Sequence, residues 1–260
     1  MLVKRLIVFF VLLGLIGCGG EQSESAGPRE LTVFAAASLT DAFNDLAEAF
    51  AAQHDGVDVV LNYASSSQLA AQLIEGATAD VFASANGIQM QNVIANGRIT
   101  PGAEALFVSN RLTVVVPESN PAGITSLEDL AKPGVQLILA VPGVPVRQYT
   151  DEIVAAMPAD FQARFYANLV SEEDNVRQVA AKVALGEADA GIVYTSDVTP
   201  DIANQVRQIN IPDAQNVVAT YPIAPLADAP HPALAQQFIS FVLSETGQAI
   251  LARWGFGSPP

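Results

Sequence analysis

From Leu31 onward, short apolar runs alternate with stretches whose apolar residues recur at helical spacing, the pattern of an α/β protein. LTVFAA (31–36) predicts a buried strand, and 39–53 an amphipathic helix with Phe43, Leu46, Ala47 and Phe50 on one face. The unit then repeats as strand 57–64, helix 66–75, strand 80–84 and helix 87–95. RITPGA (98–103) breaks the series, after which strands run almost continuously from Leu106 to Pro117. A second series follows: helix 126–131, strand 136–141, helix 146–157, helix 175–185 and strand 190–194. The strand-like NVVATYPIAPL (216–226) returns the chain, and helices over 231–243 and 245–254 finish it.

A discontinuous first lobe, an inserted second lobe and paired crossover strands predict a hinged clamshell, each lobe a mainly parallel sheet flanked by helices. Residues 31–110 and 221–260 make lobe 1, 111–220 make lobe 2, and the hinge lies near Asn110 and Tyr221. A single doubly wound domain is the alternative. In either case the ligand is expected beyond the carboxyl ends of the strands, where helix N-termini converge.

Ahead of this pattern, Lys4 and Arg5 precede an apolar run from Leu6 to Ile16, so 1–17 reads as an export signal. That run is too short for an ordinary transmembrane helix, which needs about 20 apolar residues. Leu15-Ile16-Gly17-Cys18 resembles the lipobox of bacterial lipoproteins, making Cys18, the only cysteine, the expected lipid-anchored residue. Residues 18–30 then form the anchor and a polar tether. The protein is expected outside the cytoplasm, held to a membrane through Cys18, and without an internal disulfide.

Charge narrows the partners. Without Lys4 and Arg5 the chain carries 10 basic and 27 acidic residues, net −17, which argues against nucleic acid. The same sign repels an anionic ligand at long range, so anion capture would require local donors.

Such donors are written into the strand-to-helix turns. AAASLTDAF (35–43) puts Ser38 between a strand and a helix with Asp41 three residues on, which reads either as a capping arrangement or as an anion donor. YASSSQLAAQL (63–73) repeats the arrangement with Ser65, Ser66 and Ser67, more hydroxyls than one cap requires. Two helix N-termini with free N–H groups and serine hydroxyls make a neutral oxyanion receptor. In ADAGIVYTSDV (188–198), Tyr194 ends an apolar strand, as a packing residue or as a donor from the opposite lobe. In SEEDNVRQVAA (171–181), a helix starting near Asn175 leaves the N–H of Val176 in its first turn.

TVFAAASLTDAF, YASSSQLAAQL, ADVFASAN, VPVRQY and EDNVRQVAAKVALGEADAGIVYTSD, in this order and spacing, resemble the molybdate-binding proteins of bacterial ABC transporters over residues 31–256. The resemblance implies a type II periplasmic-binding-protein fold, molybdate or tungstate as transported ligand, no cofactor, a monomer, and delivery to an ABC transporter permease. It also implies ligand contacts from the hydroxyl and N–H of Ser38 and Ser66, the N–H groups of Val146 and Val176, and the Tyr194 hydroxyl. Many relatives have Val-Pro-x-Gly where this chain has Val144-Pro145-Val146-Arg147, so Arg147 is either a surface ion-pair partner or an additional ligand contact.

A donors-only pocket rejects monohydrogen phosphate, whose proton would go unpaired at a cost of about 1 to 3 kcal/mol. Sulfate passes that test and is the competing ligand. A serine hydrolase is the remote alternative, since no Gly-x-Ser-x-Gly is present and His54 and His231 read as turn and helix-start residues. One cysteine and two distant histidines offer no spacing for direct metal ligation. Sugar binding would call for stacking aromatics, whereas Trp254, the only tryptophan, reads as core packing in a C-terminal helix.

Overall fold

The computed structural model describes residues 29–259. The export signal, Cys18 and most of the tether lie outside them. Arg29 and Glu30, assigned above to the tether, begin the first strand instead, because they pair with Val57 and Asp58.

Among the described residues, nine strands and eight α-helices form a two-lobed α/β structure. In lobe 1, β1 (Arg29–Ala36) lies parallel between β2 (Val57–Ala64) and β3 (Val81–Ala83). The helices α1 (Thr40–Ala51), α2 (Ser66–Ile74) and α3 (Gly87–Ala95) each follow one of these strands. In lobe 2, β5 (Leu137–Ala140) lies parallel between β6 (Leu169–Glu173) and β7 (Ala190–Tyr194), with α4 (Pro145–Ala155), α5 (Ala159–Ala167) and α6 (Val176–Ala184) around it. The antiparallel pairings all involve the two crossover strands. β4 (Ala105–Pro117) pairs through its first half with β9 (Val218–Pro225) and through its second half with β7 and β8 (Val206–Asn210). β9 then joins β3, and α7 (Pro232–Leu243) and α8 (Glu245–Arg253) close lobe 1.

The crossing is sutured by side-chain amides. Asn216 accepts from the Leu112 N–H at 3.2 Å and donates to the Leu112 carbonyl at 2.8 Å, imitating a strand neighbour. Buried Asn110 donates to Ser196 Oγ at 2.8 Å and accepts from Thr195 Oγ1 at 2.9 Å, tying β4 to the turn after β7.

The amphipathic reading of α1 places Phe43, Leu46 and Phe50 in the core, where Phe43 and Phe50 meet Phe238 of α7 edge-on at 6.2 and 5.2 Å. Three elements went unread in the sequence: α5, β6 and β8. The helix expected over 126–131 is only a 3-10 turn, Glu128–Ala131. Trp254 packs against the edge of the core and is only partly buried. It caps α8 half-buried, donates from Nε1 to Asp45 at 2.8 Å, and lines an outer groove with Thr195 and Ser196.

Candidate functional site

Five helix-start and strand-end residues converge on one small cavity between the lobes, about 210 Å3 of empty space that opens partly to solvent. Lobe 1 supplies Ala36, Ala37, Ser38, Ser65, Ser66 and Ala85, and lobe 2 supplies Val144, Pro145, Val146, Asn175, Val176 and Tyr194. Ser38, Ser66, Val146, Val176 and Tyr194 therefore share one site, each no more than 4% exposed. Four further hollows are larger, 660 to 1080 Å3, and lie elsewhere on the molecule.

Local structure explains what each residue presents. Ser65, not Ser66, caps α2: its side chain accepts from the Gln68 N–H while Gln68 Oε1 accepts from the Ser65 N–H. Ser67 Oγ lies 3.1 Å from Ser65 Oγ. Ser66 is thereby released from capping. Its Oγ accepts the Ala85 N–H at 2.9 Å, which leaves its own proton to donate.

Ser38 departs from the capping reading. It sits inside a 3-10 turn, Ala37–Leu39, that precedes α1, makes no cap hydrogen bond, and places its Oγ 3.1 Å from the Tyr221 hydroxyl. Asp41, expected as the capping acid, pairs instead with Arg177 at 2.7 Å.

In α4, Pro145 occupies the first turn and has no N–H, so Val146 offers an early free donor of that helix. In α6, the Asn175 side chain caps the Gln178 N–H at 3.1 Å, leaving the Val176 N–H in the first position with no intrahelical partner. The Tyr194 hydroxyl is buried and has no hydrogen-bond partner among the described residues. Burial pushes its pKa well above the ordinary tyrosine value, so it is a neutral donor at physiological pH. Among the described residues no charged side chain lines the cavity. Helix starts from both lobes supply its positive potential.

Arg147 is not a contact of this cavity. Its guanidinium turns away to Asp151 at 2.8 Å, Glu172 at 2.5 Å and the Ala140 carbonyl at 3.0 Å. Two acids and a strand-end carbonyl outside the cavity satisfy it.

Sequence reasoning missed the residues that join the lobes around the cavity. Arg177 of α6 reaches Asp41 of α1 at 2.7 Å and fully buried Asp197 at 2.9 Å, and donates to the Ser38 carbonyl at 3.4 Å. Elsewhere on the rim, Gln89 donates to the Gly143 carbonyl at 3.1 Å, and Asn86 Nδ2 donates to Gln148 Oε1. One signal was present: a cation at the second position of a helix opposes the macrodipole, so Arg177 required an acidic partner.

Asp197 makes stability depend on pH in an unusual direction. Burial raises its carboxyl from 3.8 to about 6, with Arg177 and the Tyr194 N–H opposing that rise. A raised acid pKa means the folded state holds the proton more tightly. Its contribution is complete below about 4 and is lost as pH rises through about 6. The melting temperature is expected to rise between pH 7 and pH 5 at constant ionic strength, and Asp197→Asn should flatten that rise. An equal slope in the variant would assign the effect to other groups.

The serines lack the partners of a nucleophile. Ser38 and Ser66 meet Tyr221 and the Ala85 N–H, while His54 stacks on Phe50 at 3.9 Å and the His231 backbone donates to Asp80 at 2.7 Å. Among the described residues no helix is long and apolar enough to cross a membrane, and no cluster of His, Cys, Asp or Glu is arranged for a metal ion.

The family model for bacterial extracellular solute-binding proteins matches residues 31–257. A molybdate-binding protein of Mycobacterium tuberculosis is 40% identical over 260 residues, covering 98% of this chain and 97% of that protein. Among solved structures, the sulfate-binding protein of M. tuberculosis superimposes with a TM-score of 0.80 at 21% identity, covering 88% of this chain and 86% of that one. The periplasmic molybdate-binding protein of Azotobacter vinelandii superimposes with a TM-score of 0.76 at 22% identity, covering 88% of this chain and all of that one at 100%. At such identities the two structures carry the fold, and the fold does not choose between the two anions.

Proposed function

The chain belongs to the bacterial extracellular solute-binding proteins, and from that premise we propose that it captures molybdate, and tungstate with it, between its lobes and hands it to an ABC importer. Membership supports a transport-binding role outside the cytoplasm rather than catalysis.

The observation that carries the anion reading is a small cavity lined from both lobes by serine and tyrosine hydroxyls and helix-start N–H groups, with no charged side chain among the described residues lining it. A hydrogen bond to a charged partner contributes about 1.5 to 3 kcal/mol, so several together offset the desolvation of a compact dianion without lysine or arginine. Ser38 and Ser66 hold the anion on lobe 1, while Val146, Val176 and Tyr194 close over it from lobe 2. An anion touching both lobes binds the closed form better than the open one and shifts the population toward closure. The closed form is what the permease would receive. No cofactor takes part, and the metal arrives inside its oxyanion. The protein acts as a monomer, with Cys18 as its lipid anchor, supported by the LIGC motif.

Sulfate is the competing cargo, and size must separate it, because it is as fully deprotonated as molybdate. Isothermal titration of residues 29–260 with molybdate, tungstate, sulfate and phosphate is the test. Tight binding of the first two, weak sulfate binding and no phosphate binding are expected. Preference for sulfate would retain the site and change the cargo, and silence with all four would end the oxyanion reading.

A further inference from the structure

We propose that Tyr221, which does not line the cavity, sets the direction of the Ser38 hydroxyl and thereby makes the site discriminate fully ionised oxyanions from proton-bearing ones. The inference rests on the oxyanion reading above and concerns how that site rejects phosphate.

A serine hydroxyl is both donor and acceptor, so a pocket of serines is not automatically a pocket of donors. Ser66 is forced into the donor role by backbone: the Ala85 N–H can only donate, and it occupies the serine oxygen at 2.9 Å. Ser38 has no such backbone partner. Its Oγ lies 3.1 Å from the Tyr221 hydroxyl, and either oxygen could be the donor. Acidity decides the direction. A phenol ionises near pH 10, far below an aliphatic alcohol, so the phenol is the stronger donor and the serine oxygen the better acceptor. Tyr221 donates to Ser38, and the Ser38 proton is left for the cavity. Each bond in such a chain polarises the next, so donation from Tyr221 also strengthens donation by Ser38.

The tyrosine is held for this task. It is fully buried on β9, at the crossing between lobes, and its ring packs edge-on against Tyr194, Phe256 and Phe107 at 5.7, 5.7 and 6.4 Å. These three rings hold its oxygen in place beside Ser38. With phenylalanine at this position, Ser38 would be free to rotate and accept the proton of monohydrogen phosphate.

Titrations of molybdate and of phosphate at pH 8, where phosphate carries one proton, test this with Tyr221→Phe, Ser38→Ala and the double variant. Tyr221→Phe is expected to weaken molybdate binding roughly tenfold and to strengthen phosphate binding. In the Ser38→Ala background the same substitution should change neither. If its effects are equal in both backgrounds, or if the molybdate-to-phosphate ratio does not move, the inference is overturned. Should Tyr221→Phe fold poorly, a fluorinated tyrosine incorporated at position 221 keeps the ring and makes the phenol more acidic. Tighter molybdate binding is then expected, and unchanged or weaker binding in the neutral phenol range overturns the proposal. A parent protein that binds none of the oxyanions fails the functional reading and this inference together. A parent that binds them, with additive variants, fails this inference alone.

Discussion

Arg177→Met is expected to lower the melting temperature by roughly 6–12 °C and to weaken oxyanion binding, although residue 177 does not line the cavity. The guanidinium spans the cleft between Asp41 of α1 and Asp197 behind β7, at 2.7 and 2.9 Å. Asp197 is fully buried, and its other oxygen accepts the Tyr194 N–H at 3.0 Å. Methionine keeps the apolar stem but removes the cation, leaving two carboxylates facing each other, one of them out of water. Removing one partner of a buried pair costs about 3 to 5 kcal/mol, and the lower end suits a side chain that retains some exposure. At 150–250 residues each kcal/mol moves the midpoint by roughly 2–4 °C.

Because Arg177 of α6 reaches across the cleft to α1, the loss is expected to fall on the closed form. Binding should therefore weaken through faster release. Thermal melts with and without molybdate, and stopped-flow dissociation, would measure the two effects. Adding Asp197→Asn to Arg177→Met removes the stranded charge and should recover part of the stability. A single variant that melts with the parent would mean that the ion pair does not hold the lobes together.

Ser66→Ala carries the second large expected effect, a loss of molybdate affinity of about tenfold or more. Two interactions disappear with one oxygen. The anion loses a donor, and the Ala85 N–H, on a residue only 3% exposed, loses its acceptor. In an open cleft water can satisfy that N–H, so its cost is charged to closure and appears in the binding constant. Ser67→Ala is the control, since Ser67 lies outside the cavity and bonds only to the neighbouring cap at 3.1 Å. Calorimetric titration separates them: parent-like affinity in Ser66→Ala, or an equal loss in Ser67→Ala, would move the anion away from α2.

Much of this architecture was legible in the pattern of apolar residues. β1, β2, β3, β5 and β7 are buried runs or alternations bounded by turn residues, and α1 and α6 show clean apolar faces. The unread strands are edges. β6 (LVSEE) and β8 (VRQIN) each pair on one side, with one buried residue apiece, so neither needs an apolar run. Their conformation comes from the neighbour that hydrogen-bonds to them. The helix α5 did carry a signal, Phe161 and Phe165 one turn apart, but those two are its buried residues, against four in the equally long α6, so its apolar face is too sparse to stand out.

The site divides along the same line. Local sequence specifies which groups are free, because capping and helix starts involve residues within four positions: Ser65 caps and so frees Ser66, Pro145 removes a donor before Val146, and Asn175 caps ahead of Val176. Orientation came from distant partners. Arg147 and Arg177 both stand near helix starts beside a predicted ligand residue, and nothing within a few residues tells them apart. Glu172 and Asp151 draw the first away from the cavity, while Asp41 and Asp197 draw the second behind Ser38 and across the cleft. Ser38 likewise became a directed donor through Tyr221, 183 residues away. Hydrophobic period and capping are short-range and readable in order along the chain, whereas the direction of a hydroxyl or a guanidinium depends on which charge or lone pair the fold brings within 3 Å.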